Sequence, residues 1–147
     1  MKKMMIILAM MITLGTMSAF AGEENVSAKV LNAFKSDFNS AKEVEWTVGS
    51  DFYKAAFTFN GQHVFAFYNT DGEMLALTRY ISSLDLPLTL QGDLKKNYSD
   101  YWISDLFEVS NNNGTNYYIT LENADSKVVL KTEGNNTWKT YKKVRKA

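Results

Sequence analysis

The chain has no cysteine, one proline and one histidine, and its charges cancel, with 16 Lys and Arg against 16 Asp and Glu in 147 residues. Each scarcity excludes something. Without thiols there is no disulfide, iron–sulfur cluster, thiolate zinc site or cysteine nucleophile, so packing alone must hold the fold. The single histidine, His63, has no second imidazole with which to bind zinc. It follows the turn signal Asn60-Gly61 and reads as a surface polar residue. Balanced charge gives no electrostatic grip on nucleic acid. One proline beside 14% aromatic residues describes a β-rich chain with real cores rather than a disordered one. The eight glycines are scattered, so there is no phosphate-cradling loop, and no nucleophile elbow surrounds Ser82 or Ser83.

There is one long apolar run. Met4 to Leu14 follows Lys2 and Lys3 and precedes Ala19-Phe20-Ala21, a small-x-small cleavage pattern. This is the form of a secretory signal peptide, residues 1–21, cut after Ala21. The run is shorter than the ~20 residues of a membrane span. Removing Lys2 and Lys3 takes the formal charge of the remaining chain, 22–147, from 0 to −2. The expected location is exported, in the periplasm or the medium.

The stretch Phe65 to Ile81 reads as a β-hairpin, two aromatic-rich runs around Asn69-Thr70-Asp71-Gly72-Glu73, with Asp71-Gly72 as the turn. Upstream, Val30, Leu31, Phe34 and Phe38 recur at helical spacing and predict a helix over about 27–39, capped by Ser27 or Asn25. From Glu43 the period becomes two. Val44, Trp46 and Val48 then face inward, and strands follow over Phe52–Phe59, Gln62–Tyr68 and Glu73–Ile81. Ser82 to Leu86 reads as a linker. Pro87 opens a second helix over Leu88–Tyr98, with Leu90, Leu94 and Tyr98 on one stripe. Four more strands follow over Trp102–Val109, Asn116–Glu122, Lys127–Thr132 and Thr137–Val144, and the basic end, Lys142–Ala147, frays.

This order predicts an α+β fold: a tandem repeat of helix plus antiparallel β-meander, about 26–81 and 87–144, in one domain. The strands form one continuous sheet with both helices on one face. Asp71-Gly72 and Glu133-Gly134 lie at matching places in the two halves. One-sided cover predicts strict alternation. The second half is expected to obey, with Tyr117, Ile119 and Leu121 inward and Asn116, Thr120 and Glu122 outward. Val64 to Tyr68 is apolar on both faces, which marks either a strand buried twice or a contact patch.

The ordered set Trp46, Tyr53-x-Ala55-x-Phe57, Phe67-Tyr68-x-x-Asp71-Gly72-Glu73-x-Leu75, Arg79-x-Ile81, Leu86-Pro87 and Tyr101-x-Ile103 resembles the PepSY-like family. That family has a β-lactamase-inhibitor-protein-like (BLIP-like) fold and is found among exported proteins of Bacteroidetes-type bacteria. The resemblance implies a sheet with helices on one side and no known catalysis. The function expected is a non-catalytic, exported binding module, protein-binding or inhibitor-like through the open sheet face. Trp46, Tyr53, Tyr68, Tyr80 and Tyr118 are the candidate partner-binding residues, since Tyr and Trp are enriched where proteins meet. The expected partner is another exported or envelope protein. No catalytic residue, cofactor, metal, nucleic acid or stable membrane insertion is expected. The alternatives are a carrier of a small apolar ligand between helices and sheet, and an envelope hydrolase built on paired carboxylates such as Glu43 and Glu45.

Overall fold

Ser27 opens the first helix. Its hydroxyl accepts the Val30 backbone N–H at 3.4 Å, and α1 runs Ala28–Asp37. In this computed structural model, which describes residues 20–133 and 137–147, the chain divides into two units with the boundary after Leu77. Residues 1–19, on which most of the expected signal peptide falls, and residues 134–136, within the expected turn Glu133 to Asn136, lie outside the described residues.

In the first unit, Val30, Phe34 and the C-cap Phe38 form the buried stripe of α1. They land on antiparallel strands β2 (Lys42–Val48), β3 (Tyr53–Phe59) and β4 (Gln62–Tyr68), which β5 (Met74–Tyr80) follows. A two-residue strand, β1 (Phe20–Ala21), pairs with Trp46 and Thr47 on the outer side of β2. The register sets Trp46, Ala55 and Ala66 in one cross-strand row and Val48, Tyr53 and Tyr68 in the next, all facing the helix. The Phe34 ring meets Trp46, Phe57 and Tyr68 edge-on, with centroids 5.1, 5.0 and 6.5 Å away. Such pairs add about 0.5–1.5 kcal/mol each beyond the area they bury.

The β3–β4 hairpin turns on Asn60 (φ 50°) and Gly61 (φ 77°), the two positive φ angles that an Asn-Gly turn supplies. In the Asn69–Glu73 turn, Asn69 Oδ1 accepts the N–H groups of Asp71 and Glu73 at 3.0 and 2.9 Å, and Asn69 Nδ2 donates to Glu73. These contacts hold the turn together through the Asn69 side chain. One prediction fails in β2. A bulge between Lys42 and Glu45, with Glu43 at φ 54°, resets the alternation and leaves Val44 37% exposed.

In the second unit the expected linker is a built turn. Ser82 Oγ accepts the Leu84 N–H, and Asp85 accepts the Ser82 N–H, closing a 3-10 turn over Ser83–Asp85. Pro87 caps α2 (Leu88–Asn97) from just outside its first turn. Then come β6 (Trp102–Asn111), β7 (Gly114–Glu122), β8 (Ser126–Glu133) and β9 (Thr137–Arg145), each antiparallel to its neighbour. Leu86 and Leu90 pack on Leu106, Ile119, Leu121, Val128 and Leu130. Trp138 Nε1 ties β9 to α2 by donating to the Leu90 carbonyl at 3.2 Å. Arg79 grips Glu108 with two hydrogen bonds, at 3.0 and 3.3 Å.

Two expectations for this unit are overturned. Tyr118 and Thr120, on the face away from the helix, are buried as well as Ile119 and Leu121, so β7 does not alternate apolar-in and polar-out. The basic end does not fray as a whole: β9 stays paired through Arg145, and the Lys146 N–H donates to the Asp125 carbonyl at 2.8 Å. The fold is α+β, with one helix and antiparallel strands in chain order in each unit.

Candidate interaction surface

The five aromatic residues singled out in sequence do not form one patch. Trp46 and Tyr68 are buried on the helix side of the first unit, and Tyr53 packs against the same core. The Tyr68 hydroxyl donates to Asp37 Oδ2 at 3.0 Å, and burial, then that bond, push its pKa up. These three rings serve packing. Tyr80 and Tyr118 belong to the second unit, and both rings contact Phe107.

Around those two residues lies the helix-free face of the second unit. Phe107 and Tyr118 are cross-strand partners whose rings stack at 5.2 Å, with an interplanar angle of 10°. Tyr118 is also next to Tyr141, and the Lys131 ammonium lies 5.6 Å from its ring centroid. Burial, and secondly Tyr141, lift the Tyr118 phenol to about 12. Tyr80 is 65% exposed at the border of this cluster, and its pKa is raised by partial burial and then by Asp105. Burial also lifts the Asp105 carboxyl above the ordinary range.

Register extends the face. Trp102, Glu122, Lys127 and Val144 form one cross-strand row, and Asp105, Thr120, Val129 and Lys142 the next. Trp102 is 54% exposed. Lys146 lies 4.8 Å from its ring centroid and 3.2 Å from Glu122. The Ser104 hydroxyl, then Lys146, hold the Glu122 carboxyl below its usual range. Sequence reasoning missed Phe107, Lys127 and Lys131 as members of this face. The signal was the spacing of Lys127, Val129 and Lys131, three alternate positions of one strand.

The first unit carries a smaller counterpart. On its helix-free face Lys54 Nζ lies 4.6 Å from the Phe65 centroid and 6.0 Å from that of Phe67, and Phe52 packs on Phe67. Burial lowers the Lys54 pKa. His63 is exposed beside Phe65. Among the described residues no three His, Asp or Glu side chains converge as a metal site, and no helix is long and apolar enough to cross a membrane.

No protein-family model and no curated protein matches the chain. Solved structures do resemble it. A DUF2874 family protein from Bacteroides ovatus superposes with a TM-score of 0.72 at 18% identity, over 82% of this chain and 88% of that one. A BLIP-like protein from Bacteroides fragilis gives 0.67 at 19% identity, over 79% and 86%. The fold is BLIP-like. A Bacteroides eggerthii protein inferred to be periplasmic gives 0.70 at 14% identity, over 82% and 88%. At these identities the likeness establishes the BLIP-like fold and nothing finer.

Proposed function

We propose that this chain is an exported, non-catalytic binding module that holds a protein partner on the helix-free face of its sheet. The observation that carries this reading is the second unit's aromatic cluster, where exposed Tyr80 and Trp102 lie on the same face as buried Phe107 and Tyr118. A surface with large rings held by rigid strands supplies contact area at little cost in side-chain ordering. The layer between helix and sheet is occupied by packed side chains such as Phe34 against Trp46 and Phe57, which argues against a ligand carrier. The residues weighed for a hydrolase are exposed, Glu43 and Glu45 at the β2 bulge and His63 beside Phe65, which favours the binding reading over it.

Export rests on the leader pattern of residues 1–21 and agrees with the periplasmic description of one fold neighbour. Cleavage after Ala21 removes β1 and leaves β2 as a free edge at Trp46 and Thr47. The two helix-and-strand units are read as a PepSY-like tandem repeat, supported by Phe57 and Ile119, both fully buried on their helix sides.

The test is capture from periplasmic and secreted fractions of a Bacteroides host, comparing wild type with Tyr80→Ser/Trp102→Ser. The expected result is a partner retained by wild type and lost by the variant. Equal retention by both, or none by wild type, refutes the binding face. Intact-mass measurement of the secreted protein should place its N-terminus at Gly22, and a mass that includes Met1–Ala21 refutes export by this leader.

A further inference from the structure

The sheet's last hairpin carries charge that edge protection does not explain. Lys127, Lys131, Lys139, Lys142, Lys143 and Arg145 face one acid, Glu133, across β8 and β9. Cations on a terminal strand discourage unwanted pairing, and that accounts for β9. It does not account for Lys127 and Lys131, because β8 is flanked by β7 and β9. Lys131 lies directly opposite Lys139, an arrangement that costs stability between strands.

The register sorts these cations by face. Lys127, Lys131, Lys139 and Lys142 lie on the helix-free face with Trp102, Phe107 and Tyr118, while Lys143, paired with Val128, and Arg145, paired with Ser126, lie on the other. Glu133 engages Lys139, and Glu122 engages Lys146. Lys127, Lys131, Lys139, Lys142 and Lys146 thus stand on this face against Glu122, Glu133 and Asp105, an excess of cations even though Glu122 also acts on Lys127 and Glu133 on Lys131, and burial disfavours the charge of Asp105.

We infer that the partner segment received by this face is an acidic stretch of polypeptide, its carboxylates meeting Lys127, Lys131 and Lys142 and its apolar side chains meeting Tyr80 and Trp102. The inference rests on the binding reading above and adds the chemistry of the partner. Lys127 and Lys131 are four residues apart on one strand, about 13 Å, so the charges are spread along a line rather than gathered into a single anion pocket. All are lysines, point charges that suit separate carboxylates, whereas bidentate capture of phosphate favours arginine. Asp105 and Glu122 interrupt the positive field, which weakens attraction to a uniformly anionic lipid surface, whereas a polypeptide with its own charge pattern can match it.

The test uses the leaderless chain and labelled poly-L-glutamate, read by fluorescence anisotropy at low and physiological salt. Two variants change net charge equally: Lys127→Glu/Lys142→Glu on the inferred face, and Lys143→Glu/Arg145→Glu on the opposite one. Circular dichroism checks that both fold. The expected result is at least about tenfold weaker binding for the first variant, close to 1.4 kcal/mol, and less than about twofold for the second. Equal loss in both means only net charge is sensed, and overturns the inference. So does tighter binding to phosphatidylglycerol vesicles or polyphosphate than to polyglutamate. A captured partner that depends on Tyr80 and Trp102 but is indifferent to salt and to the first variant overturns the acidic assignment while leaving the binding face intact.

Discussion

Replacing Tyr68 distinguishes a core residue from a docking residue. Its ring is fully buried against Phe34, and its hydroxyl bonds Asp37, whose side chain is exposed. Tyr68→Phe keeps the ring and loses the hydrogen bond. Asp37 can then take up water, so the cost is that of an ordinary hydrogen bond, about 1 kcal/mol, below the range for a bond to a buried charge. Tyr68→Ala removes the ring as well. Truncating a buried aromatic costs about 3–5 kcal/mol, because the cavity only partly collapses. The expected ratio between the two is therefore three or more. Urea unfolding followed by tryptophan fluorescence measures both, because Trp46 sits in the same core and contacts Phe34. A loss below about 1 kcal/mol for Tyr68→Ala would refute the packing argument. Equal losses for the two variants would show that the hydroxyl, not the ring, carries the stabilisation. This is also why Tyr80 and Trp102, rather than Tyr68, are the residues to change in a binding experiment.

Three other outcomes follow from local geometry. Gly72 has φ +84°, and a Cβ there would meet the Lys29 carbonyl oxygen at 3.0 Å, whereas Gly61 at φ +77° has open space. Gly72→Ala should therefore cost about 1–2 kcal/mol for the left-handed backbone plus a contact term that Gly61→Ala lacks, read as a larger drop in urea midpoint. Tyr118 titrates at about 12 in the folded protein against about 10 unfolded. Because the folded pKa is raised, its contribution is complete below pH 10 and is lost between pH 10 and 12, about 2.7 kcal/mol in all. Tyr118→Phe should flatten that part of the stability–pH curve, and an unchanged slope would refute the assignment. Thr78 Oγ1 is buried without a hydrogen-bond partner. Thr78→Val should raise stability by about 1 kcal/mol, and a loss of that size in thermal unfolding would show that the hydroxyl is satisfied.

Much of the fold was legible because its signals are local. The stripe of Val30, Phe34 and Phe38 wrote the first helix, and Asn60-Gly61 wrote a hairpin whose two positive φ angles are present. The candidate surface was far less legible, because a face is a matter of parity and parity is reset by bulges. Among the described residues they act near Glu43, between Ile103 and Asp105, and between Val129 and Leu130. The first turns Val44 out to solvent. The second puts Trp102 and Phe107 on the same face although their numbers differ by an odd count, and the third does the same for Lys139 and Lys142. Without these shifts, counting by twos assigns such pairs to opposite faces. The choice of Tyr68 as a contact residue failed for a related reason, since strand β4 is apolar on both sides and composition does not say which side the helix covers. The helix lies over Val64, Ala66 and Tyr68, and Lys54 lies over Phe65 and Phe67 on the other side. The same double apolarity that suggested a patch is thus divided between a core and a lysine-covered face. The first unit's face has one lysine on an interior strand, Lys54 on β3, whereas the second unit's face has two on β8, Lys127 and Lys131, and adds Lys139 and Lys142 on β9.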